Sequence, residues 1–430
     1  MITHSSTRRS FVRNGLASVL ATGSAPLFIP ASVLGQASPS RTFTLGCIGM
    51  GKHGVGVNMR SFLHEEGCRI VAVCDVFRDR REKAAAEVNR HYKNSDCAAV
   101  ADFRALLSRP DIDAVVISTP DHWHVTMALL ALQAGKHVFC EKPTLTIDEG
   151  RRLVQSVAKS GKVFCTGLED RSLIHYHRLV EIVRNGDIGT LKHIKVGLPT
   201  KPIFPKQDPA PVPGSLNFPM WLGPAPERDF FPTLTDDQVW RQIRDFSGGS
   251  LTDWGAHLMD TAQVGNFSEN SGPVTVSGKG TIPPDSINTV PRDYTLDYTF
   301  ANGVTMEVKS AEPYIRFEGD KGWVGCTKWV GKMEASDMQV YQKKYDPSSS
   351  KIWPLPPREH RNFIDCLQGK AAPTYSAESL HRLSTAMHTG LIAMELGQKV
   401  HWDPEKETFQ EPDANALRTR IMREDWKKLG

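Results

Sequence analysis

A glycine-rich turn between an apolar run and a helix-forming segment constrains the fold of this 430-residue chain most. Residues 44–48 form the run, residues 49–54 read G-M-G-K-H-G, and a helix is expected as far as Phe62. A strand, a G-x-G-x-x-G turn and a helix are typical of a dinucleotide-binding unit, because the glycines let the backbone approach a pyrophosphate at the helix N-terminus. The cofactor-binding residues predicted in the turn are Gly49, Met50, Gly51 and Gly54.

A second β-rich run over residues 69–74 ends in Asp75, which lies 21 residues after Gly54. An acidic side chain at this spacing accepts hydrogen bonds from ribose hydroxyls and repels a 2′-phosphate, so the pattern favours NAD over NADP. Arg78 and Arg80 follow closely. Because arginine pairs well with phosphate, they leave NADP open.

Strands and helices are predicted to alternate through the rest of the first 167 residues. Strands are expected over residues 113–118, 136–140 and 163–167, and helices over residues 80–90, 102–107, 125–134 and 148–160. This alternation predicts an α/β fold with a doubly wound parallel sheet, whose ligands bind at the carboxyl ends of the strands. The further residues expected to contact a nucleotide there are Thr119, Pro120, His124, Glu141 and Lys142.

The ordered set of motifs resembles that of the Gfo/Idh/MocA oxidoreductases, which include glucose–fructose oxidoreductase and inositol dehydrogenase. The matching pieces are the glycine turn, T-P-x-x-x-H over residues 119–124, E-K-P over residues 141–143 and D-x-x-x-H over residues 253–257. The resemblance runs from about Phe43 to the C-terminus and is patchy between residues 199 and 217. It implies an N-terminal Rossmann domain and a C-terminal α/β domain with a large, open, mostly antiparallel sheet.

The second half of the chain agrees with that plan. Strands are predicted over residues 191–196, 274–278, 294–300, 304–309 and 314–319, with a hairpin at Asn302-Gly303 and a long helix over residues 376–397. We therefore expect four segments. These are a signal peptide over residues 1–37, a Rossmann NAD-binding domain over 38–167, a substrate and oligomerisation domain over 168–375, and a C-terminal helical segment over 376–430 that packs on the body.

The resemblance implies catalytic roles for Lys142, Asp253 and His257. A helix predicted from Leu251 to Val264 places Asp253 and His257 on one face, so that Asp253 can orient the imidazole or bind a hydroxyl. His257 suits a general base, and Lys142 can bind the reacting oxygen with a pKa lowered by a cationic nicotinamide. The residues leave open which of the two moves the proton. Taken singly, the three can also be a solvated lysine, a helix cap and a core histidine.

Other polar and aromatic residues follow the last Rossmann strand or precede Gly248. The predicted substrate contacts are Arg171, His175, Trp240 and Arg241. Many relatives carry an aromatic residue or Asn within the segment 168–172, where this chain has L-E-D-R-S, so these contacts are the weakest part of the resemblance. The pairs His122/His124 and His175/His177 lack a second pair of soft ligands, so no metal is predicted. Most of the nine tryptophans are expected in the core.

The predicted function is NAD-dependent hydride transfer between nicotinamide and a hydroxyl of a sugar or polyol, with a cofactor that can stay bound between turnovers. The resemblance supplies the substrate class and a homo-oligomer, either dimer or tetramer. One alternative is a glycosidase that oxidises a ring carbon transiently with NAD. A second is a non-enzymatic nucleotide or sugar sensor, which the joint presence of Lys142, Asp253 and His257 disfavours.

The N-terminus reads as an export signal. Residues 7–13, T-R-R-S-F-V-R, resemble the twin-arginine motif, and residues 35–37 carry small side chains suited to cleavage. The stretch between them contains Pro26 and Pro30 and is a poor membrane span. We expect export to the periplasm by the twin-arginine machinery, the alternative being a cytosolic tail. Without these residues the net charge falls from +4 to +1, which gives no electrostatic case for binding nucleic acid or an anionic membrane. Stable membrane insertion is not expected, because no other run of the sequence is suited to span a bilayer.

Overall fold

Two β-sheets organise the part of the chain that the computed structural model describes, residues 41–427. The first has six strands in the order β3-β2-β1-β4-β5-β6, and the second has nine in the order β13-β12-β11-β7-β10-β9-β8-β14-β15. The predicted signal peptide over residues 1–37 lies outside the described residues. No helix among residues 41–427 combines the length and apolar character needed to cross a bilayer.

The strands are β1 Phe43–Ile48, β2 Cys68–Cys74, β3 Ala98–Val100, β4 Ala114–Ile117, β5 His137–Glu141, β6 Phe164–Gly167, β7 Leu191–Leu198, β8 Pro273–Thr281, β9 Asp293–Phe300, β10 Thr305–Ser310, β11 Tyr314–Gly319, β12 Trp323–Thr327, β13 Met333–Ala335, β14 Val400–Asp403 and β15 Thr408–Phe409. The helices of three turns or more are Arg78–Tyr92, Asp121–Gln133, Ile147–Ser160, Ile174–Asn185, Gly255–Gly265 and Ala377–Leu396. The shorter helical segments are Gly54–Met59, Arg60–Leu63, Phe103–Leu107, Asp170–Ser172, Phe218–Leu222, Asp237–Trp240, Ser250–Asp253, Met338–Gln342, Glu359–Leu367, Pro412–Ala416 and Glu424–Lys427.

The first sheet has the strand order of a Rossmann fold, and all of its described pairings are parallel. Its central strands β1 and β4 are almost continuously apolar because both sheet faces are covered by helices. Strands β2 and β3 lie on one side of β1, and strands β4 to β6 lie on the other. The carboxyl ends of β1 and β4 therefore border the crevice in which ligands bind. This confirms the predicted doubly wound parallel sheet.

The second sheet is mixed but mainly antiparallel, as predicted. Only the described pairing of β7 with β10 is parallel. Along β9 buried and more exposed residues alternate, since one sheet face packs against the core. The predicted hairpin is present between β9 and β10, and within its turn only Gly303 has a positive φ, of +82°. The short strands β12 to β15 carry a weaker pattern, and the sequence did not predict them.

The helix after β4 begins earlier than the sequence predicts. It spans Asp121–Gln133, with Pro120 as its N-cap, so that His122, Trp123 and His124 lie in its first turn and not in a loop. The helix is buried nearly all round and shows little amphipathic pattern, which is why its start could not be read from periodicity. The imidazole of His122 is fully buried and contacts the carbonyl oxygen of Trp221 at 3.0 Å. Burial lowers the pKa of His122 well below its ordinary value, as suits a neutral core residue.

A helix from late in the chain completes the packing of the first sheet. The segment Glu359–Leu367 comes almost 200 residues after β6, yet its Phe363 and Ile364 share an apolar core with β1 and β5. The Phe363 ring lies 5.6 Å from Phe139 and 6.0 Å from Phe62, measured between centroids. The nucleotide-binding unit therefore includes residues from the segment that the sequence assigned to the substrate domain.

Replacing Phe363 with Ala should lower the free energy of unfolding by about 3–5 kcal/mol, because a fully buried ring leaves a cavity among other aromatic rings. Urea unfolding followed by circular dichroism measures the change. As a control, Ile174→Ala removes a side chain that is 65% exposed and should stay within about 0.5 kcal/mol of the wild type. Equal effects of the two substitutions would show that the late helix contributes little.

Candidate active site

A cavity of about 620 Å³ lies at the carboxyl edge of the parallel sheet. Segments of both halves of the chain line it. From the first half come the glycine turn, Asp75, the Thr119-Pro120 segment, His124, Glu141 and Lys142. From the second half come Trp240, Arg241, Asp253, Trp254, His257 and Trp329. Most of the residues that the sequence singled out therefore meet in one cleft.

The three glycines of the turn serve different purposes. Gly49 has a φ of +89°, and a Cβ there would come within 2.5 Å of the Ser118 carbonyl oxygen. A Cβ on Gly54 would lie 1.9 Å from the Gly49 carbonyl oxygen, so this position is closed by the turn itself. A Cβ on Gly51 would meet no described atom closer than a guanidinium nitrogen of Arg80 at 3.8 Å. The turn thus leaves open space beside Gly51, where a pyrophosphate can approach the backbone.

Asp75 ties the end of β2 to the glycine turn. One carboxylate oxygen accepts a hydrogen bond from the backbone N–H of Met50 at 2.6 Å, and the other accepts one from Phe77 at 2.8 Å. Burial raises the pKa of Asp75, while these two N–H groups and nearby arginines oppose the rise. Met50 therefore contributes its backbone, and Asp75 shapes the turn as well as facing the cavity.

Glu141, the first residue of the E-K-P motif, is held in a buried network that the sequence did not predict. One of its oxygens accepts from Asn58 at 2.8 Å and contacts His53 Nε2 at 3.0 Å. Asn58 also donates to Ser118, and its carbonyl oxygen lies 2.9 Å from His360 Nε2. Burial works against the charge of Glu141, but His53 and Asn58 outweigh it and lower its pKa to about 2. Glu141 is therefore an anchor between the glycine turn, β5 and the late helix.

Lys142 pairs with Asp253. Its ammonium lies 3.0 Å from a carboxylate oxygen of Asp253 and donates to the backbone oxygen of the same residue at 2.7 Å. Lys201 and Arg241 approach the same carboxylate at 3.4 Å and 3.6 Å. Burial disfavours the charge on Lys142, yet Asp253 and Glu141 outweigh it and raise its pKa above the ordinary value. Asp253 has a pKa well below the usual range, since its three cationic neighbours outweigh its burial.

His257 is oriented by Asp170, not by Asp253. Its Nδ1 lies 2.8 Å from a carboxylate oxygen of Asp170, which is fully buried, and 4.0 Å from Glu169. The predicted continuous helix is interrupted at Trp254, between Ser250–Asp253 and Gly255–Gly265. The Asp253 carboxylate is engaged by its three cationic neighbours instead of the imidazole. Burial disfavours a charged imidazole, but Asp170 and Glu169 outweigh it and raise the pKa of His257. The expectation that Asp253 orients His257 is therefore wrong.

Two predicted substrate contacts lie elsewhere. The guanidinium of Arg171 binds the Asp260 carboxylate at 2.7 and 3.0 Å and covers the Tyr375 ring at 4.2 Å. Neither Arg171 nor His175 is among the described residues that line the cavity. Arg171 instead joins the segment after β6 to the core of the second half. Trp240 and Arg241 do line the cavity, as expected, and stack on each other at 4.3 Å.

His124 faces the cavity but serves to join two loops. Its ring nitrogens lie 2.8 Å from the Pro143 carbonyl oxygen and 2.9 Å from that of Thr119. It therefore fixes the T-P segment against the E-K-P segment. The absence of a metal stays a prediction, although Glu169, Asp170 and His257 place three potential ligand atoms within 4.8 Å of one another. In this cluster the Asp170 carboxylate and the His257 imidazole already lie within hydrogen-bonding distance of each other.

The sequence did not single out several residues in or beside the cavity, namely His53, Asn58, Asp170, Lys201, Trp254, Trp329 and His360. Asp170 had a usable signal, because it follows closely on the last parallel strand at the edge where ligands bind. The others come from distant parts of the chain, and no local pattern marks them.

Family models match most of the described chain. A model described as an oxidoreductase family with an NAD-binding Rossmann fold matches residues 43–168, and one described as the C-terminal alpha/beta domain of the same oxidoreductase family matches residues 204–428. The chain belongs to the Gfo/Idh/MocA oxidoreductase family. It therefore has the NAD-binding Rossmann domain of that family, and the predicted family resemblance is confirmed.

Curated relatives match part of the chain. Proteins named glycosyl hydrolase family 109 protein are 33% identical over 171 residues in Shewanella sp. strain W3-18-1 and 34% identical over 175 residues in Shewanella sp. strain ANA-3. Each match covers 38% of this chain and 36% of the relative. The matched part thus spans little more than a third of either protein.

Solved structures share most of the described fold. An aldose-aldose oxidoreductase from Caulobacter crescentus, complexed with glycerol, has a TM-score of 0.60 at 20% identity and covers 84% of this chain and 100% of its own. The WlbA dehydrogenase from Bordetella pertussis, in complex with NADH and UDP-GlcNAcA, has a TM-score of 0.63 at 16% identity over 84% and 99% of the two chains. At these identities the likeness shows a common fold.

A pair of glycine variants tests the nucleotide groove. Gly51→Ala should fold like the wild type, because its Cβ enters open space, yet bind NAD about tenfold more weakly or worse, because that space is where the pyrophosphate approaches. Gly54→Ala should lower the melting temperature, since its Cβ would collide with the Gly49 carbonyl. Thermal unfolding and calorimetric titration with NAD separate the two effects. Unimpaired NAD binding by Gly51→Ala would show that the pyrophosphate does not bind against this turn.

Proposed function

We propose that this protein is an exported, NAD-dependent oxidoreductase that acts on a hydroxyl-bearing carbon of a sugar or polyol. The observation that carries the proposal is the arrangement of Lys142 and His257 in one cleft at the end of the nucleotide groove, each with its own buried carboxylate partner. Sensors have no need of two separate proton-handling pairs. Family membership supports the oxidoreductase class, and the sugar substrate rests on the resemblance.

Asp75 supports NAD over NADP. Its carboxylate faces the groove at the end of β2, where a 2′-phosphate would meet a negative charge. Arg80 lines the same cavity, with its guanidinium 4.0 Å from the centre of the Phe77 ring, and is the residue that could soften this preference. The ratio of NAD to NADP affinities therefore depends on these two side chains together.

A segment of the second half lies against the predicted adenosine end of the groove. The backbone of Asn217 donates to Val76 at 3.1 Å, and that of Arg78 donates to Ser215 at 2.9 Å. Leu216 lies between these bonds in a separate aromatic-rich core, and residues 235–237 continue to the cavity wall. We call residues 215–217 the strap. Their position beside Asp75 supports a cofactor that stays bound between turnovers.

In the proposed mechanism, the glycine turn, Asp75 and the Thr119-Pro120 segment would hold NAD, which would supply the hydride acceptor for the substrate carbon. Lys142, held charged by Asp253, donates a hydrogen bond to the reacting oxygen and stabilises the negative charge that develops there. Asp170 engages Nδ1 of His257, so the hydroxyl proton is taken at Nε2. The same carboxylate stabilises the imidazolium that forms.

A glycosidase that oxidises a ring carbon transiently is the second candidate. The glycosyl hydrolase names of the Shewanella relatives favour it, and so does Glu169. Burial, together with Asp170 and Glu359, raises the pKa of this cavity-lining carboxyl, while His257 opposes the rise. A carboxyl with a raised pKa is better suited than an ordinary one to protonate a glycosidic oxygen. Release of an aglycone without net redox change would select this function, and accumulation of a ketosugar would select the dehydrogenase.

We further propose a homo-oligomer, dimer or tetramer, and export to the periplasm through the twin-arginine machinery. The first rests on the family resemblance and the second on residues 7–13. Size-exclusion chromatography with light scattering tests the oligomer. Replacing Arg8 and Arg9 with Lys and comparing periplasmic with cytoplasmic fractions tests the route.

Lys142→Met should reduce turnover of a responsive sugar by about 10²–10⁴-fold while NAD remains bound, because the substitution removes the donor to the reacting oxygen. Lys201→Met is the matched control, since Lys201 contacts the same carboxylate but is not among the described residues lining the cavity. Single-turnover absorbance of the reduced nicotinamide measures the loss. Comparable losses in the two variants would mean that charge balance around Asp253, rather than contact with substrate, explains the effect.

The pH dependence of oxidation should follow His257. The rate of substrate oxidation is expected to rise with pH as His257 loses its proton, because the neutral imidazole is the base. The pKa of this rise should lie above the ordinary histidine value. Asp170→Asn removes the carboxylate that favours the charged ring, so the limb should move to lower pH. Glu169→Gln should move it less in the same direction, since that carboxylate is farther away. Profiles of kcat/KM measure both shifts, and an unmoved limb in Asp170→Asn would assign the proton to another group.

Protein purified without added nucleotide should carry close to one NAD per chain, because the strap is hydrogen-bonded to the backbone that follows Asp75 and holds that end of the groove in place. Denaturation followed by mass spectrometry identifies and counts the released cofactor. Leu216→Gly, which loosens the strap, should yield largely empty protein. NADP in place of NAD would contradict the interpretation of Asp75, and an empty wild-type protein would indicate an exchanging cofactor.

A further inference from the structure

Three aromatic rings surround the catalytic end of the cavity. The rings of Trp254 and Trp329 lie 6.2 Å apart, measured between centroids, and their planes meet at 85°. The imidazole of His257 lies 5.9 Å from Trp254 and 5.7 Å from Trp329. Both tryptophans line the cavity. His257, the proposed proton-transfer group, therefore lies beside both indole rings.

Trp329 is exposed although it is a large apolar side chain. It retains 37% of its accessible surface, unlike Trp123, Trp221 and Trp402, which are buried in cores. An indole ring left open at a catalytic cavity exposes apolar area that a ligand can cover. Trp329 therefore differs from the structural tryptophans that the sequence led us to expect.

The loop that carries Trp329 is conformationally strained. Its neighbours Lys328 and Val330 have φ values of +56° and +55°, which side chains other than glycine rarely adopt. The loop is held by a hydrogen bond from Val330 N–H to the Tyr176 hydroxyl at 3.1 Å and by one from Thr327 N–H to the Lys332 carbonyl at 2.9 Å. The surrounding structure thus maintains an unfavourable backbone that directs one indole ring to the cavity.

Trp329 is also connected to the proton-transfer pair. Its indole N–H points to one carboxylate oxygen of Asp170 at 3.4 Å, while the other oxygen of Asp170 contacts His257. The same carboxylate therefore fixes the ring that faces the ligand and the ring that takes the proton. A ligand lying on the indole face would have its edge directed toward the imidazole, since the two ring planes are inclined at 68°.

We propose that Trp329, with Trp254 beside it, is a stacking platform that selects a pyranose ring as substrate. A pyranose has an apolar C–H face, which can stack on an indole ring, and hydroxyl groups along its edge, which can reach the imidazole. An acyclic polyol has no persistent face to stack. The proposal rests on the proposed function and, within its substrate class, places pyranoses and pyranosides above acyclic polyols.

The test measures binding separately from turnover. NAD-loaded protein is titrated with the methyl α- and β-pyranosides of glucose, galactose, mannose, N-acetylglucosamine and N-acetylgalactosamine, and with D-glucitol as the acyclic probe. Calorimetry gives the dissociation constants, and saturation-transfer NMR identifies the ring protons in contact with the protein. At least one pyranoside should bind more tightly than D-glucitol and show saturation on the protons of one ring face.

Trp329→Ala should weaken pyranoside binding about tenfold or more while NAD content stays at the wild-type level. Trp329→Phe keeps an aromatic face but lacks the indole N–H, and should stay within about threefold of the wild type. Trp323→Ala is the matched control. It removes a tryptophan of β12 in the same hairpin, which stacks with Arg316 at 3.8 Å and is not among the described residues lining the cavity.

Unchanged pyranoside binding by Trp329→Ala would overturn the platform, as would a wild-type protein that binds no pyranoside or binds D-glucitol equally well. Failure of the proposed function looks different. In that case pyranosides bind the wild type and lose affinity in Trp329→Ala, but no sugar changes the absorbance of the nicotinamide in any variant. That outcome would leave the platform supported and the oxidoreductase activity refuted.

Discussion

The ion pair between Lys142 and Asp253 sets how the two halves of the cleft meet. Lys142 follows β5 of the parallel sheet, and Asp253 ends a helical segment 111 residues later. Both side chains are largely buried, and an unpaired buried charge costs several kcal/mol, about 3–5 when one partner is removed. The end of β5 and the segment before Trp254 must therefore dock in one register. The catalytic end of the cavity depends on that docking.

In the mechanism that we propose, the two carboxylates Asp253 and Asp170 give Lys142 and His257 different chemical roles. Asp253 keeps Lys142 charged, which makes the lysine a poor base near neutral pH and a good donor to a developing alkoxide. Burial and the charge on Lys142 oppose a charged imidazole at His257, but Asp170 and Glu169 outweigh them and raise its pKa. The two pairs thus favour His257 over Lys142 as the group that moves the proton. Sequence alone left that choice open.

The parts of the fold and site that the sequence predicted depend on short-range chemistry. The glycine turn, the position of Asp75 and the alternation of strands and helices follow from turn geometry and periodicity within about 30 residues, which one sequence displays directly. The missed parts depend on pairings between distant segments. Asp170 and His257 are 87 residues apart, and Asn58 and His360 are 302 apart. Arg171 was misassigned for the same reason, because its partner Asp260 lies on another helix.

The long-range pairings make the nucleotide site a product of the complete fold. Asn58, in the helical segment that follows the glycine turn, is bound both to Glu141 and to His360 of the late helix, so this part of the groove is held by a segment some 300 residues later in the chain. The strap around Leu216 adds a second brace beside Asp75. A cofactor can be captured firmly only after nearly the whole chain has folded. Export of an already folded protein, as we propose from residues 7–13, would preserve such a site, whereas threading an unfolded chain across the membrane would require the cofactor to be found again outside the cytoplasm.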